Sequence, residues 1–137
     1  MKLKFTLIIC TFYLFLNLNA QEKIIVNPNA PEITFEKELI DMGTYNQHDD
    51  ESSRCEFVFT NTGKEPLIIE KAKGSCGCTV PEWPKEPIAP GESGTIAVKF
   101  NSKGKPGQQN KPVTLTMNTT PNTMQLRLVG KVIPATK

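Results

Sequence analysis

The chain has 137 residues, 38% hydrophobic and 22% charged, which is enough for one domain that buries most of its apolar surface without cross-links. Its 16 Lys and Arg nearly balance 14 Asp and Glu, and two of the basic residues, Lys2 and Lys4, lie at the extreme N-terminus. A charge this close to neutral offers no electrostatic attraction to phosphate backbones or anionic lipid, which argues against nucleic acid as a partner.

The N-terminal segment carries an export pattern. Lys2 and Lys4 form a short positive end, Phe5 to Leu16 is an apolar run broken by Thr6 and Thr11, and Asn17-Leu18-Asn19-Ala20 ends in a small residue. The run is too short to span a bilayer and lacks a stop-transfer flank, so the pattern predicts a signal peptide over 1–20, cleaved before Gln21. The product is expected in the periplasm or outside the cell, without stable membrane insertion once the leader is removed. Leu7-Ile8-Ile9 lacks the small residues of a lipoprotein signal, which assigns Cys10 to the discarded leader. Residues 21–31, with Pro28, Pro31, Asn27 and Asn29, read as an N-terminal linker, and 32–134 as the folded domain.

From Ile33 onward, apolar residues alternate with polar ones at the two-residue period of half-buried strands. Ile33 and Phe35 share a face, as do Cys55, Phe57 and Phe59, then Ile96, Val98 and Phe100, then Val113, Leu115 and Met117, and finally Met124, Leu126 and Leu128. Turn residues separate the runs at Asn61-Thr62-Gly63-Lys64, Pro90-Gly91-Glu92 and Thr119-Thr120-Pro121-Asn122. No window keeps a helical period with caps. About seven short strands at this spacing predict an all-β fold, an antiparallel β-sandwich. One irregularity stands out. Leu67 and Ile69 share a parity that Ala72 breaks, which predicts a bulge near Glu70 and Lys71.

Taken in order, Phe57-Val58-Phe59-Thr60-Asn61-Thr62-Gly63, Pro66-Leu67-Ile68-Ile69, Ser75-Cys76-Gly77-Cys78-Thr79-Val80-Pro81, Pro87-Ile88-Ala89-Pro90-Gly91-Glu92 and Leu128-Val129-Gly130-Lys131-Val132 form a diagnostic set. The set resembles a widespread bacterial family of exported proteins of unknown function, over about Ile33 to Val132. That family's domain is immunoglobulin-like with Greek-key connections, and is similar to Hydin and abnormal-spindle domains, relatives of major sperm protein. The resemblance implies a fold and no reaction, since the eukaryotic cousins are adhesion or scaffold modules.

The sulfur-bearing segment is the one unusual piece of chemistry. On an ideal strand, Cys76 and Cys78 point to one side with Cα atoms about 6.5 Å apart, near the upper limit of about 6.8 Å for a disulfide. Gly77 would supply the freedom to bend and close a small ring, and a strained or exposed ring is the more reducible kind. Three readings stand together. The pair is a structural crosslink or two packed thiols, a redox pair that exchanges with other thiols, or a soft-metal site completed by His48, Met117 or Met124. Cys55 shares the parity of Phe57 and Phe59 and is expected to be buried. If its strand forms a hairpin with the strand from Leu67, it lies opposite about Ala72, and a bond to Cys76 becomes an alternative pairing.

Thr79 and Trp83 are the candidate contact residues, Trp83 standing on a stiff loop between Pro81 and Pro84. His48-Asp49-Asp50-Glu51 reads as a solvated loop. No Ser-His-acid set, phosphate-binding glycine loop or catalytic carboxylate pair can be placed, so no catalytic residue, metal or cofactor is assigned. The expectation is an exported, non-enzymatic module of the cell envelope that binds another protein or an envelope component. The alternative is a thiol redox or soft-metal protein acting through Cys76 and Cys78.

Overall fold

The alternation is realised in eight strands: β1 Ile33–Phe35, β2 Leu39–Asn46, β3 Arg54–Asn61, β4 Ile69–Gly74, β5 Thr79–Glu82, β6 Ser93–Phe100, β7 Gly107–Met117 and β8 Thr123–Ile133. They come from a computed structural model that describes residues 27–49 and 53–134. The leader at 1–20, linker residues 21–26, and Asp50 and Glu51 of the acidic loop lie outside the described residues. Among those described there is no helix.

The strands form two four-stranded sheets, ordered β1-β3-β6-β5 and β2-β8-β7-β4. In immunoglobulin lettering these are an A-B-E-D sheet and a C-F-G sheet, the latter extended by β2. The expected β-sandwich is therefore present, with one strand beyond seven and one pair, β2 with β8, parallel. The parallel pair has a simple cause. Only Glu36-Lys37-Glu38 separates β1 from β2, so the chain changes sheets without reversing direction. The Glu36 amide still donates to Val58 O of β3 at 3.0 Å, while Glu38 O already accepts from the Arg127 amide of β8 at 2.8 Å.

The inward parity matches the alternation in sequence. Phe57, Phe59, Ile96, Leu115, Leu126 and Leu128 are at most 1% exposed and fill the space between the sheets. Phe35 lies opposite Phe59 in the β1–β3 ladder, with ring centroids 5.5 Å apart. The predicted bulge is also there. Ile69 pairs with Met117 and Lys71 with Thr116, which leaves Glu70 as the extra residue and returns Ala72 to the inner face.

The hairpin considered for β3 and β4 does not form, because the two strands belong to different sheets. Cys55 faces Val98 of β6 and not Ala72, and no Cys55–Cys76 bond exists. The reason lies in Asn61, whose side chain is fully buried. Its Nδ2 donates to Glu65 O and Ile88 O, both at 2.9 Å, and its Oδ1 accepts from the Gly63 amide at 3.0 Å. These bonds hold 61–65 in a wide turn that carries the chain across to the other sheet, where Leu67 bridges Ile88. The C-terminal part of the linker packs on the same turn. A Cβ at Gly63 would run into the backbone of Ala30, Pro31 and Glu32, and the Thr62 amide donates to Glu32 O at 2.9 Å.

Two substitutions probe this arrangement in denaturant titrations. Phe57→Ala is expected to lower stability by about 3–5 kcal/mol, and a loss below about 1 kcal/mol would refute the strand parity. Asn61→Ala removes a donor from Glu65 O and from Ile88 O, the latter keeping the Leu67 amide, and removes the acceptor of the Gly63 amide. It is expected to cost about 2–4 kcal/mol.

Candidate functional site at the sheet crossover

β4 is an edge strand of one sheet and β5 an edge strand of the other, so Ser75-Cys76-Gly77-Cys78 carries the chain across the open side of the sandwich. The cysteines therefore sit in a turn and not on a strand. The Thr79 amide donates to Cys76 O at 3.1 Å, and this closure brings the two Cα atoms to 5.2 Å, inside the disulfide range. Cys76 and Cys78 are bonded to each other. The turn is anchored on both flanks, by the Ser75 amide on Pro112 O at 3.0 Å and the Asn101 amide on Cys78 O at 2.7 Å.

The two glycines of the turn differ in their roles. At Gly74 a Cβ would collide with the carbonyl oxygen and Cβ of Thr79, so the close return of the chain demands glycine there. Gly77 has no such constraint. A Cβ would meet nothing within 4 Å, and its φ lies outside the left-handed region. The expected bending role of Gly77 is thus carried by the turn hydrogen bond and by Gly74.

Thr79 begins β5 and points inward, 3% exposed. Its Oγ1 lies 3.6 Å from Cys76 Sγ and 4.0 Å from Cys78 Sγ. Cys78 also packs against a small apolar cluster of Tyr45, Phe100 and Val132, and Lys111 Nζ stands 5.3 Å from the centre of the Phe100 ring. Trp83, the other candidate contact residue, is half-buried. Its Nε1 donates to Ile69 O at 3.0 Å, and Lys85 Nζ lies 2.9 Å from the ring centre. Ile69 is where the bulge interrupts the β4–β7 ladder. Trp83 thus gives a disrupted edge carbonyl a partner and ties the loop after β5 to β4.

The remaining sulfur-bearing side chains and the histidine are not gathered here. Cys55 is a free, buried thiol, and burial pushes it up to about 11 from the ordinary 9.0. Met117 pairs with Ile69 at the far end of the ladder from Gly74, which pairs with Val113, and Met124 faces Leu115. His48 is exposed in the loop after β2, its amide held by Asn46 Oδ1 at 3.1 Å. Among the described residues, no group of three or more His, Cys, Asp and Glu side chains comes together.

The alternation also defines an outer face that sequence reasoning passed over. Arg54 and Glu56 of β3, Ala97 and Lys99 of β6, and Val80 and Glu82 of β5 line a concavity of about 220 Å³. Val80 is 53% exposed at its edge. No sequence signal marked it, because placing Val80 outward requires knowing that Thr79 points inward, which the structure shows.

The model of a family described as protein of unknown function (DUF1573) matches residues 33–132. No curated protein matches the chain. Solved structures similar to it include a protein of unknown function from Porphyromonas gingivalis W83, with TM-score 0.63 and 12% identity over 78% of this chain and 50% of that one. Others are the E. coli chaperone DraB, with TM-score 0.51 and 11% identity over 76% and 56%, and the Vibrio cholerae VesB protease, with TM-score 0.53 and 13% identity over 76% and 32%. The chain spans about half the length of the first of these, and at such identities the likeness is one of fold alone.

Ring size sets the scale for the crosslink. Closing so short a ring removes only about 1.5 kcal/mol of denatured-chain entropy, roughly half of what a fifteen-residue loop yields. Replacing both Cys76 and Cys78 by Ser is expected to lower stability by about 1–2 kcal/mol in a urea titration and to leave the fold intact. Gly77→Ala is expected to stay within about 0.5 kcal/mol of the parent, while Gly74→Ala costs about 2 kcal/mol or more. Equal effects at the two glycines would contradict this account of the turn.

Proposed function

The chain belongs to the DUF1573 family of proteins of unknown function, and on that premise we propose that it is an exported, non-enzymatic immunoglobulin-like module that binds another protein or an envelope component. The observation that carries this reading is where its chemically capable side chains point. The Trp83 N–H is spent on Ile69 O, the Thr79 hydroxyl faces the sulfurs, and the Cys55 thiol is buried. Apart from the half-buried disulfide turn, what is left facing solvent is a sheet face and its edge. The concavity around Val80 combines apolar surface from Val80 and Ala97 with charges of both signs from Arg54, Lys99, Glu56 and Glu82. An apolar centre within a polar rim is the usual anatomy of a protein contact. The edge of β5 beside it offers backbone groups to an incoming strand. We place the contact surface on this face, since Thr79 is buried and Trp83 is half-buried with its N–H engaged. A soft-metal site would need ligands beyond the two sulfurs, and Met117 belongs to the other end of the β4–β7 ladder.

Photocrosslinking in the producing bacterium tests the reading. A photoreactive residue at position 80 is expected to give a discrete adduct that Ala97→Glu abolishes, whereas the same residue at position 125 on the opposite sheet gives none. Recovery of the chain in the cytosol with residues 1–20 still attached, or no adduct at position 80, would overturn it.

A further inference from the structure

Three observations meet at Ser75 to Thr79. The disulfide joins Cys76 and Cys78 across Gly77, Ser75 and Gly77 are exposed, and Gly77 presents no side chain to an approaching molecule. The turn is held independently of the sulfur bond, by the Ser75, Thr79 and Asn101 amides on Pro112 O, Cys76 O and Cys78 O. The Thr79 hydroxyl, on a residue 3% exposed, reaches both sulfurs, at 3.6 and 4.0 Å. A disulfide sulfur is a weak acceptor and gives such a donor little, whereas a thiolate accepts a charge-assisted hydrogen bond. The pocket around the sulfurs therefore suits the reduced pair better than the oxidised one.

We propose that Cys76–Cys78 is a thiol-exchange site whose substrate class is an external dithiol, with Thr79 stabilising the sulfur that leaves. Both cysteines are half-buried, but Cys78 is the one packed against Tyr45, Phe100 and Val132, so Cys76 is taken as the attacked sulfur. Thr79 Oγ1, now 3.6 Å from Cys76 Sγ and 4.0 Å from Cys78 Sγ, closes on Cys78 as it departs. The incoming thiolate forms a bond to Cys76 Sγ as the Cys76–Cys78 bond breaks. The electron pair stays on Cys78 Sγ, which accepts the Thr79 O–H and then takes a proton from water. The donor's second thiolate next attacks its own sulfur in the mixed disulfide and releases Cys76 as a thiolate, which water protonates. The donor ends as a disulfide, and the pair has gained two electrons and two protons. This goes beyond the binding reading, which requires no reaction at sulfur, and each can fail without the other.

The test follows free thiols by mass after quenched alkylation, with circular dichroism recording the fold. Dithiothreitol and a reduced thioredoxin serve as the small and the protein-borne dithiol. Cys76 and Cys78 are expected to open within minutes under native conditions while Cys55 stays unlabelled. A faster reaction with thioredoxin marks a protein donor and a faster one with dithiothreitol a small donor, either of which supports the site. Thr79→Val is expected to slow opening about tenfold and Thr79→Ser to restore it, the size following from loss of a hydrogen bond to a charged group. With oxidised glutathione, Cys76 in the Cys78→Ser variant is expected to form the mixed disulfide about tenfold faster than Cys78 in Cys76→Ser. The proposal is overturned if the pair stays oxidised until denaturant unfolds the protein, or if Thr79→Val opens at the parent rate. Should Thr79→Val not fold, equal glutathione rates in the two serine variants overturn it.

Discussion

Backbone polar groups must find partners wherever the chain leaves one sheet for the other, and this structure depends on how that demand is met. Within the sheets the ladders satisfy amides and carbonyls, and buried phenylalanines and leucines supply the apolar drive. At the crossovers no ladder exists. Asn61 meets the demand between β3 and β4 with two donated bonds and one accepted bond from a fully buried side chain. Trp83 does the same at the bulge, giving Ile69 O a donor from a loop of the opposite sheet. Both side chains act as backbone partners where the ladders end, Asn61 within its own turn and to Ile88, Trp83 across to β4.

The open sides of the sandwich are spanned by chain running between edge strands, from β1 to β2 on one side and from β4 to β5 on the other. The second of these carries the sulfur pair. Its geometry is set by Gly74 packed on Thr79 and by amide bonds to Pro112 and Cys78 carbonyls, so the short disulfide adds little to what already holds the turn. A crosslink of small mechanical value, half-exposed and addressed by a buried hydroxyl, differs in kind from Cys55, a buried free thiol whose ionisation burial disfavours. The burial of Cys55 also has a pH consequence. Because its folded value lies above its ordinary one, deprotonation favours the unfolded chain, and its contribution is lost as pH rises from about 9 toward 11.

Much of this was legible in the chain. The alternation at Phe57-Val58-Phe59 and Ile96-Ala97-Val98 named the buried face, and the parity break between Ile69 and Ala72 placed a bulge near Glu70 and Lys71, which the register assigns to Glu70. Other readings failed for a common cause. Asn61-Thr62-Gly63-Lys64 looks like a hairpin turn because its composition suits one, and only the buried Asn61 side chain shows that it bridges two layers. Thr79 looked like a surface residue beside reactive sulfurs, and Gly77 like the hinge, because a turn's direction cannot be read from residue types.

The amino-acid sequence alone determined the fold class, the inner face of each strand, the bulge and the solitary sulfur motif, since all of these are local consequences of period and parity. Tertiary structure decided which strands are neighbours, that Cys55 stands apart from Cys76, that Trp83 serves a carbonyl fourteen residues away, and that Thr79 lies beneath the sulfurs. Parity assigns a residue to a face, but only the packing of one sheet on another determines what that face meets.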